Sequence, residues 1–261
     1  MNRLRCELVI VGAGPAGATA AIQATRHDLD CVLVDQEPPG GLAATAFRLD
    51  NLPTHPRGLS GRQYARRLGE CLASKQVRYV PGWIDEITPP GELFVCRGKN
   101  HRLESDAVLL ATGTKPLPFA LPGFLEASAC GLAHRDLRTF PFDLTGRRVA
   151  VVGGGEAAVD TALSIIGRGG RARVFCRGQS LKAHRRLLAE AGEAGAEFRY
   201  GFRLAAVLLR RQGLSIKWQT PLETDDTDVD HLAVCIGREP RLSLLRRLWP
   251  DAPPPFTIDT N

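Results

Sequence analysis

The sequence predicts an α/β protein of two three-layer domains, the second inserted in the first. Three observations lead there. Two separate apolar runs each break into a cluster of glycines and continue as a helix of small residues. Each helix is followed by another apolar run that ends in a charged residue. Between the two units, Lys115-Pro116-Leu117-Pro118 and Leu121-Pro122-Gly123 read as a linker.

The first unit opens with Leu8-Val9-Ile10-Val11, a continuous apolar run of the kind buried on both faces of a parallel sheet. It turns at Gly12-Ala13-Gly14-Pro15-Ala16-Gly17 and runs into a helix over Ala18 to Ala24. In such a turn the first glycine permits the tight bend and the second lets backbone approach a pyrophosphate. The third lets the helix lie close to the strand, with its N-terminus aimed at the phosphates. The next strand, Cys31-Val32-Leu33-Val34, ends in Asp35, at the spacing of a carboxylate that holds an adenosine ribose. Strand, glycines, helix, strand and acid in one unit predict a Rossmann-like dinucleotide-binding domain.

After Asp35, Pro38-Pro39-Gly40-Gly41 forms a turn-rich loop leading to Leu42 through Phe47. Ser60 is placed to cap a helix from Gly61 to Lys75, whose Tyr64, Leu68 and Leu72 recur at helical spacing. Short strand-like pieces fill Val77 to Arg102, with a hairpin-like corner at Pro89-Pro90-Gly91. Asp106 to Leu110 then leads into Ala111-Thr112-Gly113. The second unit repeats the theme: Arg148 to Val152 runs into Gly153-Gly154-Gly155-Glu156-Ala157-Ala158 and a helix through Ile166. Ala158 replaces the third glycine, which is permitted because that position is asked only for close packing. The following strand, Ala172 to Cys176, ends in Arg177 where an NAD site usually carries an acid, and a cation there suits the extra phosphate of NADPH.

The net charge of +6 comes mostly from arginine, with pairs at Arg185-Arg186, Arg210-Arg211 and Arg246-Arg247. A solvated face is the simple reading; a docking surface for an acidic partner is the sharper one. Nucleic acid is disfavoured, because no aromatic residues interleave the basic ones. No apolar run approaches the roughly 18 residues of a membrane helix, and the polar start is no signal peptide, so a cytoplasmic protein is expected. The seven cysteines form no CxxC and no zinc-ligand pattern, which argues for a reduced compartment and no metal site.

At Gly12–Gly17, Gly40-Gly41, Asn51-x-Pro53 and Ala111-Thr112-Gly113 the chain resembles the FAD domain of the low-molecular-weight thioredoxin reductases. Leu232 to Pro240 is similar to that family's strand and Gly-x-x-Pro return, here beginning at Gly237, so the resemblance runs over essentially the whole chain. It implies a FAD-binding domain over 1–115 and 241–261 and an NAD(P)H-binding domain over 116–240. It further implies that Gly40, Gly41, Thr45 and Asn51 line the flavin, that Trp83 lies near the adenine, and that Thr112 and Gly113 sit beside the cofactor. The family's His-Arg-Arg-x-x-x-Arg pattern for NADPH is matched by Cys176, Arg177, Gly178 and Lys182, so the NADPH preference is weakened and NADH stands as the alternative nucleotide. A homodimer is a further implication of the likeness.

Two departures from the family bear on function. Its redox CxxC would fall at Asp136 and Thr139, and neither is cysteine. Cys130 lies nearby without a resolving partner, and thiol–disulfide exchange needs two thiols or an external one, so a buried structural role is expected for it. Asp136-Leu137, Phe142 and Gly146-Arg147-Arg148 are more like the thioredoxin-reductase-type ferredoxin–NADP reductases, which share the fold and lack the disulfide. The second departure is the family's late Gly-Asp before a last helix, which Phe256 to Asn261 does not supply. The expectation is an open flavin or one closed by a partner.

The reading that follows is an NAD(P)H-dependent FAD flavoprotein reductase. No catalytic side chain is named, because the flavin carries the chemistry. The expected acceptor is an acidic protein: ferredoxin, flavodoxin or an iron–sulfur enzyme. Three rivals stand beside it: a disulfide reductase using Cys130 with an external thiol, a non-catalytic nucleotide-binding scaffold, and an NAD(P)H oxidase.

Overall fold

The computed structural model describes residues 2–88, 91–220 and 224–250. It divides into two compact units: Met1–Thr45, Leu49–Lys115 and Glu239–Asn261 in the first, Ala46–Arg48 and Pro116–Arg238 in the second.

In the first unit β1 (Asn2–Val11) leads through α1 (Pro15–Arg26) to β2 (Cys31–Asp35), then through a short 3₁₀ turn (Gly41–Thr45) and α2 (Gly61–Ser74) to β3 (Arg78–Pro81). The chain continues as β4 (Glu86–Thr88), β5 (Phe94–Arg97) and β6 (His101–Leu110), giving one sheet of order β3-β2-β1-β6-β5-β4. The first four strands are parallel, and β5 and β4 are antiparallel additions. The corner at Pro89-Pro90 lies outside the described residues, and the strands flanking it pair as a hairpin.

Strand alternation sorts this sheet's two faces. Ile10, Cys31 and Leu33 pack with Ala18, Ala21, Ala24 and Leu72 of the two helices. Val9, Val11, Val32 and Val34 pack with Ile84, Ile87, Cys96 and Leu103 on the other side. The buried face of α1 holds only glycine and alanine, so helix and sheet approach closely. Ser60 caps α2 through a reciprocal box: its hydroxyl accepts from the Gln63 amide, and the Gln63 side chain accepts from the Ser60 amide.

Of the linker residues, Lys115 and Pro116 belong to β7 (Thr114–Pro116), while Leu117, Pro118 and Leu121 to Gly123 lie in no strand or helix, as their prolines suggest. In the second unit α3 (Phe124–Ala129) and β8 (Ala133–His134) precede β9 (Arg148–Val152), α4 (Glu156–Ile166), β10 (Arg171–Cys176), α5 (Arg185–Glu193) and β11 (Glu197–Tyr200). A meander of β12 (Arg203–Leu209), β13 (Leu214–Gln219) and β14 (Thr224–Val229) comes before β15 (His231–Val234). The chain then pairs β16 (Arg238–Pro240) with β7 and ends its described part in α6 (Ser243–Leu248), whose Leu244 enters the first unit's core.

The second unit's parallel sheet has the order β11-β10-β9-β15-β8. The meander covers one face, where Trp218 stacks on Phe175 with ring centroids 3.9 Å apart. Helices α4 and α5 cover the other. The short segment Ala46–Arg48 clusters here too: the Phe47 amide donates to the Asp160 carboxylate, and Arg48 makes a two-pronged ion pair with Glu190. The last stretch, Phe256 to Asn261, lies outside the described residues.

Because the α2 cap satisfies two end amides at once, Ser60→Ala is expected to lower stability by about 1 kcal/mol. A urea unfolding midpoint unchanged in that variant would show the cap to be idle.

Candidate functional site

At the end of β1, Gly12 adopts φ +110°, a conformation that side chains disfavour, and a Cβ on it would lie 2.2 Å from the carbonyl oxygen of Ala111. A Cβ on Gly17 would lie 1.8 Å from the Gly12 carbonyl oxygen, so α1 touches the turn backbone to backbone. Gly14 differs, since the nearest atom to a Cβ there is the Gly41 Cα at 3.9 Å. Its side-chain space is therefore open to a ligand. Pro15 stands in the first turn of α1, and Gly14 offers no side-chain cap, so the amides of that turn, including Ala16, are available to an anion.

Asp35 has a second task that spacing alone did not reveal. Its carboxylate accepts from the Ala13 amide at 2.7 Å and the Glu37 amide at 3.0 Å, bracing the glycine turn. The Tyr79 hydroxyl donates to the carbonyls of Asp35 and Glu37, and burial followed by these two acids pushes its pKa up to about 12. Tyr79 carried no sequence signal beyond its place in a strand.

Gly40 and Gly41 come together with this turn: the Gly40 amide donates to Ala13 O, and a Cβ on Gly41 would lie 2.9 Å from Gly14 Cα. Thr45 closes the 3₁₀ turn with its hydroxyl on Leu42 O, while Asn51 is exposed in the loop beyond. Thr112 donates its hydroxyl to Arg241 O, and Gly113 follows at φ +64°. Trp83 is 43% exposed, one residue beyond Gly82, whose amide donates to Asp35 O.

The second turn is built alike with one change. A Cβ on Gly153 would meet the Cys235 carbonyl oxygen at 2.5 Å and the Ala158 Cβ at 2.8 Å, so the first glycine is compelled while Ala158 fits, fully buried. Gly155 has nothing within 4 Å of its would-be Cβ. Glu156 and Ala157 open α4, and the Glu156 carboxylate accepts from the His184 amide. The Lys182 amide donates to Gly154 O at 2.7 Å, which folds the loop after β10 back beside the turn. Arg177 and Lys182 are both exposed on that loop, and among the described residues neither forms an ion pair. Gly237 stands apart from this turn, against Leu117 at the crossing.

Where the redox cysteines would fall, Asp136 caps a single 3₁₀ turn that ends at Thr139. Burial works to raise the Asp136 pKa, but hydrogen bonds from the Arg138 side chain and amide and the nearby Arg238 outweigh it, so the carboxyl stays below its usual range. The Thr139 hydroxyl donates to Asp136 O and therefore accepts from His134 Nδ1 at 2.9 Å. His134 Nε2 in turn lies within hydrogen-bond distance of His231 Nδ1, at 3.3 Å. Burial first, then His231, pushes His134 down to about 4, and burial also lowers His231. Both rings are held neutral behind the turn.

Cys130 corrects the sequence reading. It is exposed, not buried. Helix α3 buries Phe124 and Ala127, but ends before Cys130, and the chain swings away at Gly131 with φ +71°. Cys31 is buried and Cys235 half-buried.

Residues 6–249 match the family model described as pyridine nucleotide-disulphide oxidoreductase. The chain belongs to that family. A thioredoxin reductase of Coxiella burnetii is 29% identical over 247 residues, covering 92% of this chain and 77% of that protein. One from Bacillus subtilis is 26% identical over 185 residues, covering 71% and 58% respectively. Among solved structures, a Lactococcus lactis thioredoxin reductase superposes with a TM-score of 0.84 at 20% identity, covering 94% of this chain and 81% of that one. A bacillithiol disulfide reductase from Staphylococcus aureus gives 0.72 at 16% identity, covering 94% and 80%.

As a member of the pyridine nucleotide-disulphide oxidoreductases the protein is an oxidoreductase of the flavoenzyme type with the two-fold Rossmann architecture read from its sequence. FAD and NADPH are the cofactors of the thioredoxin reductase group it resembles. The residues present fit such ligands: at Gly14 and at Gly155 the space of a side chain is left open beside a helix N-terminus. No described helix is long and apolar enough to cross a membrane, and the described residues hold no cluster of metal-ligand type.

Two predictions follow from this geometry. Gly14→Ala should fold normally, since nothing crowds the new methyl, yet bind FAD at least tenfold more weakly; Gly17→Ala should fail to fold, and flavin fluorescence with thermal melts separates the two. The histidine pair sets a pH dependence. Both folded-state pKa values are depressed, so its contribution is complete above about pH 6.5, the unfolded value, and is lost as pH falls from there through about 4. The melting temperature should drop across that window and do so less steeply in His134→Asn.

Proposed function

We propose that this protein is an NAD(P)H-dependent flavoprotein reductase whose electrons leave to an acidic protein carrying a one-electron centre, such as a ferredoxin, a flavodoxin or an iron–sulfur enzyme. The observation that carries this reading is the turn at Asp136–Thr139. In place of two thiols it holds a carboxylate tied to two arginines and a hydroxyl tied to a neutral histidine. Nothing in it can form or break a disulfide, and its side chains are committed to one another. Bound FAD would supply the step between a two-electron hydride donor and the acceptor.

In this reading the chain's residues bind and orient. Asp35, the amides of α1's first turn and Gly14 hold the adenosine and pyrophosphate of FAD, with Gly40 and Gly41 lying against them. Gly155 and the first turn of α4 receive the pyrophosphate of the nicotinamide cofactor. Arg177 and Lys182 recognise the 2′-phosphate of NADPH, a dianion that suits two cations with no competing ion pair. Residues 1–115 with 241–261, and 116–240, are the corresponding FAD and NAD(P)H domains. The net charge of +6 favours encounter with an acidic acceptor and makes the rate fall with added salt.

The exposure of Cys130 favours a second reading, a disulfide reductase that completes its dithiol with an external thiol. Anaerobic titration distinguishes the two. The leading reading expects NADPH to bleach the flavin, a ferredoxin to reoxidise it, and Cys130→Ser to change neither. Reoxidation by low-molecular-weight disulfides alone, abolished in Cys130→Ser, would replace it with the second. In the same assay Arg177→Ala with Lys182→Ala should weaken NADPH roughly tenfold or more while leaving NADH unchanged.

A further inference from the structure

The return crossing brings one more charged side chain to the first glycine turn. The Arg241 amide donates to Gly113 O at 2.9 Å, its carbonyl accepts the Thr112 hydroxyl at 2.8 Å, and its Nε donates to Thr114 O at 3.1 Å. Three bonds to consecutive residues fix where the side chain can go. Thr112 is itself part of the turn's surroundings, because a Cβ on Gly12 would lie 3.2 Å from the Thr112 amide nitrogen. The guanidinium extends to lie 5.8 Å from the ring centroid of Trp83. Trp83 follows Gly82, whose amide donates to Asp35 O at 2.8 Å. Arg241 thus spans from the exit of β6 toward the carboxyl ends of β2 and β3, the two sides of the groove that Gly12 and Asp35 define.

Neither member of this pair is used up by the fold. Among the described residues the terminal nitrogens of Arg241 have no hydrogen bond or ion pair, and 43% of Trp83 remains exposed. A half-buried guanidinium with free donors and an indole face, beside a cradle that accepts an anion, present the chemistry of an adenosine diphosphate. The planar guanidinium offers paired donors to phosphate oxygens, and the indole offers a flat apolar surface to a base.

We propose that Arg241 is a further cofactor-binding residue: its guanidinium takes the phosphates of the adenosine-diphosphate half of FAD, beside Trp83, which the family likeness already sets near the adenine. This rests on the flavoenzyme reading and adds to it a ligand drawn from the far end of the chain.

The test is a fluorescence titration of the flavin-free full chain with FAD, with ADP and with riboflavin, which lacks the adenosine and both phosphates. Arg241→Ala should weaken FAD and ADP roughly tenfold to a hundredfold and leave riboflavin unchanged. Trp83→Leu should weaken FAD and ADP severalfold and remove the quenching of tryptophan emission by ADP. If Arg241→Ala lowers the melting temperature, Arg241→Lys is the deciding variant: it keeps the charge but loses the paired donors, and a severalfold loss confined to FAD and ADP supports this role. FAD and ADP affinities within twofold of wild type in the folded Arg241 variants would overturn it. A wild-type chain that takes up no FAD would instead overturn the flavoenzyme reading on which it rests.

Discussion

The approach of backbone to backbone at the end of β1 is the constraint on which the first unit's site depends. Helix α1 lies so close to the turn that a methyl group on Gly17 would overlap the Gly12 carbonyl. That closeness holds the helix N-terminus, which has no side-chain cap, at the end of β1 beside the glycine turn. The same closeness requires the alanines on α1's inner face, since larger side chains would lift the helix away. Sheet, helix and binding edge are therefore one packing solution, and Asp35 locks it by accepting a hydrogen bond from within the turn.

The second turn shows which parts of that solution are compulsory. Gly153 is hemmed in by the Cys235 carbonyl and could not carry a side chain. The third position carries Ala158, whose methyl is fully buried in the core beneath α4. Where the turn must admit a ligand the requirement is different, and both Gly14 and Gly155 leave space that no protein atom occupies. Tight contact and open space are thus assigned to different glycines of one motif.

This division explains what could be read from sequence. Glycine turns, buried strands and the Ser60 cap rest on local sterics and local hydrogen bonds, so their residue types announce them. The second role of Asp35, the Tyr79 hydroxyl and the His134–His231 chain rest on contacts between residues far apart in sequence, which no spacing encodes. The allegiance of Ala46–Arg48 to the second unit is of the same kind, decided by Asp160 and Glu190. For Cys130 the lack of a thiol partner in sequence suggests burial, yet helix α3 ends at Ala129 and leaves it exposed. The linker's prolines suggest an irregular crossing, and it is irregular from Leu117 onward; only β7 at its start pairs as a strand, with β16.

The core of the first unit includes Leu244 and Leu248, residues that follow the whole of the second unit in the chain. During synthesis the first sheet must therefore wait, the face holding Val9, Val11, Val32 and Val34 incompletely covered, while the continuous stretch from Pro116 to Arg238 emerges and can close on itself. The inserted body is placed to consolidate before its host. Until α6 arrives, the nascent host carries exposed apolar surface, and that interval is when chaperone capture or misassociation has its opening.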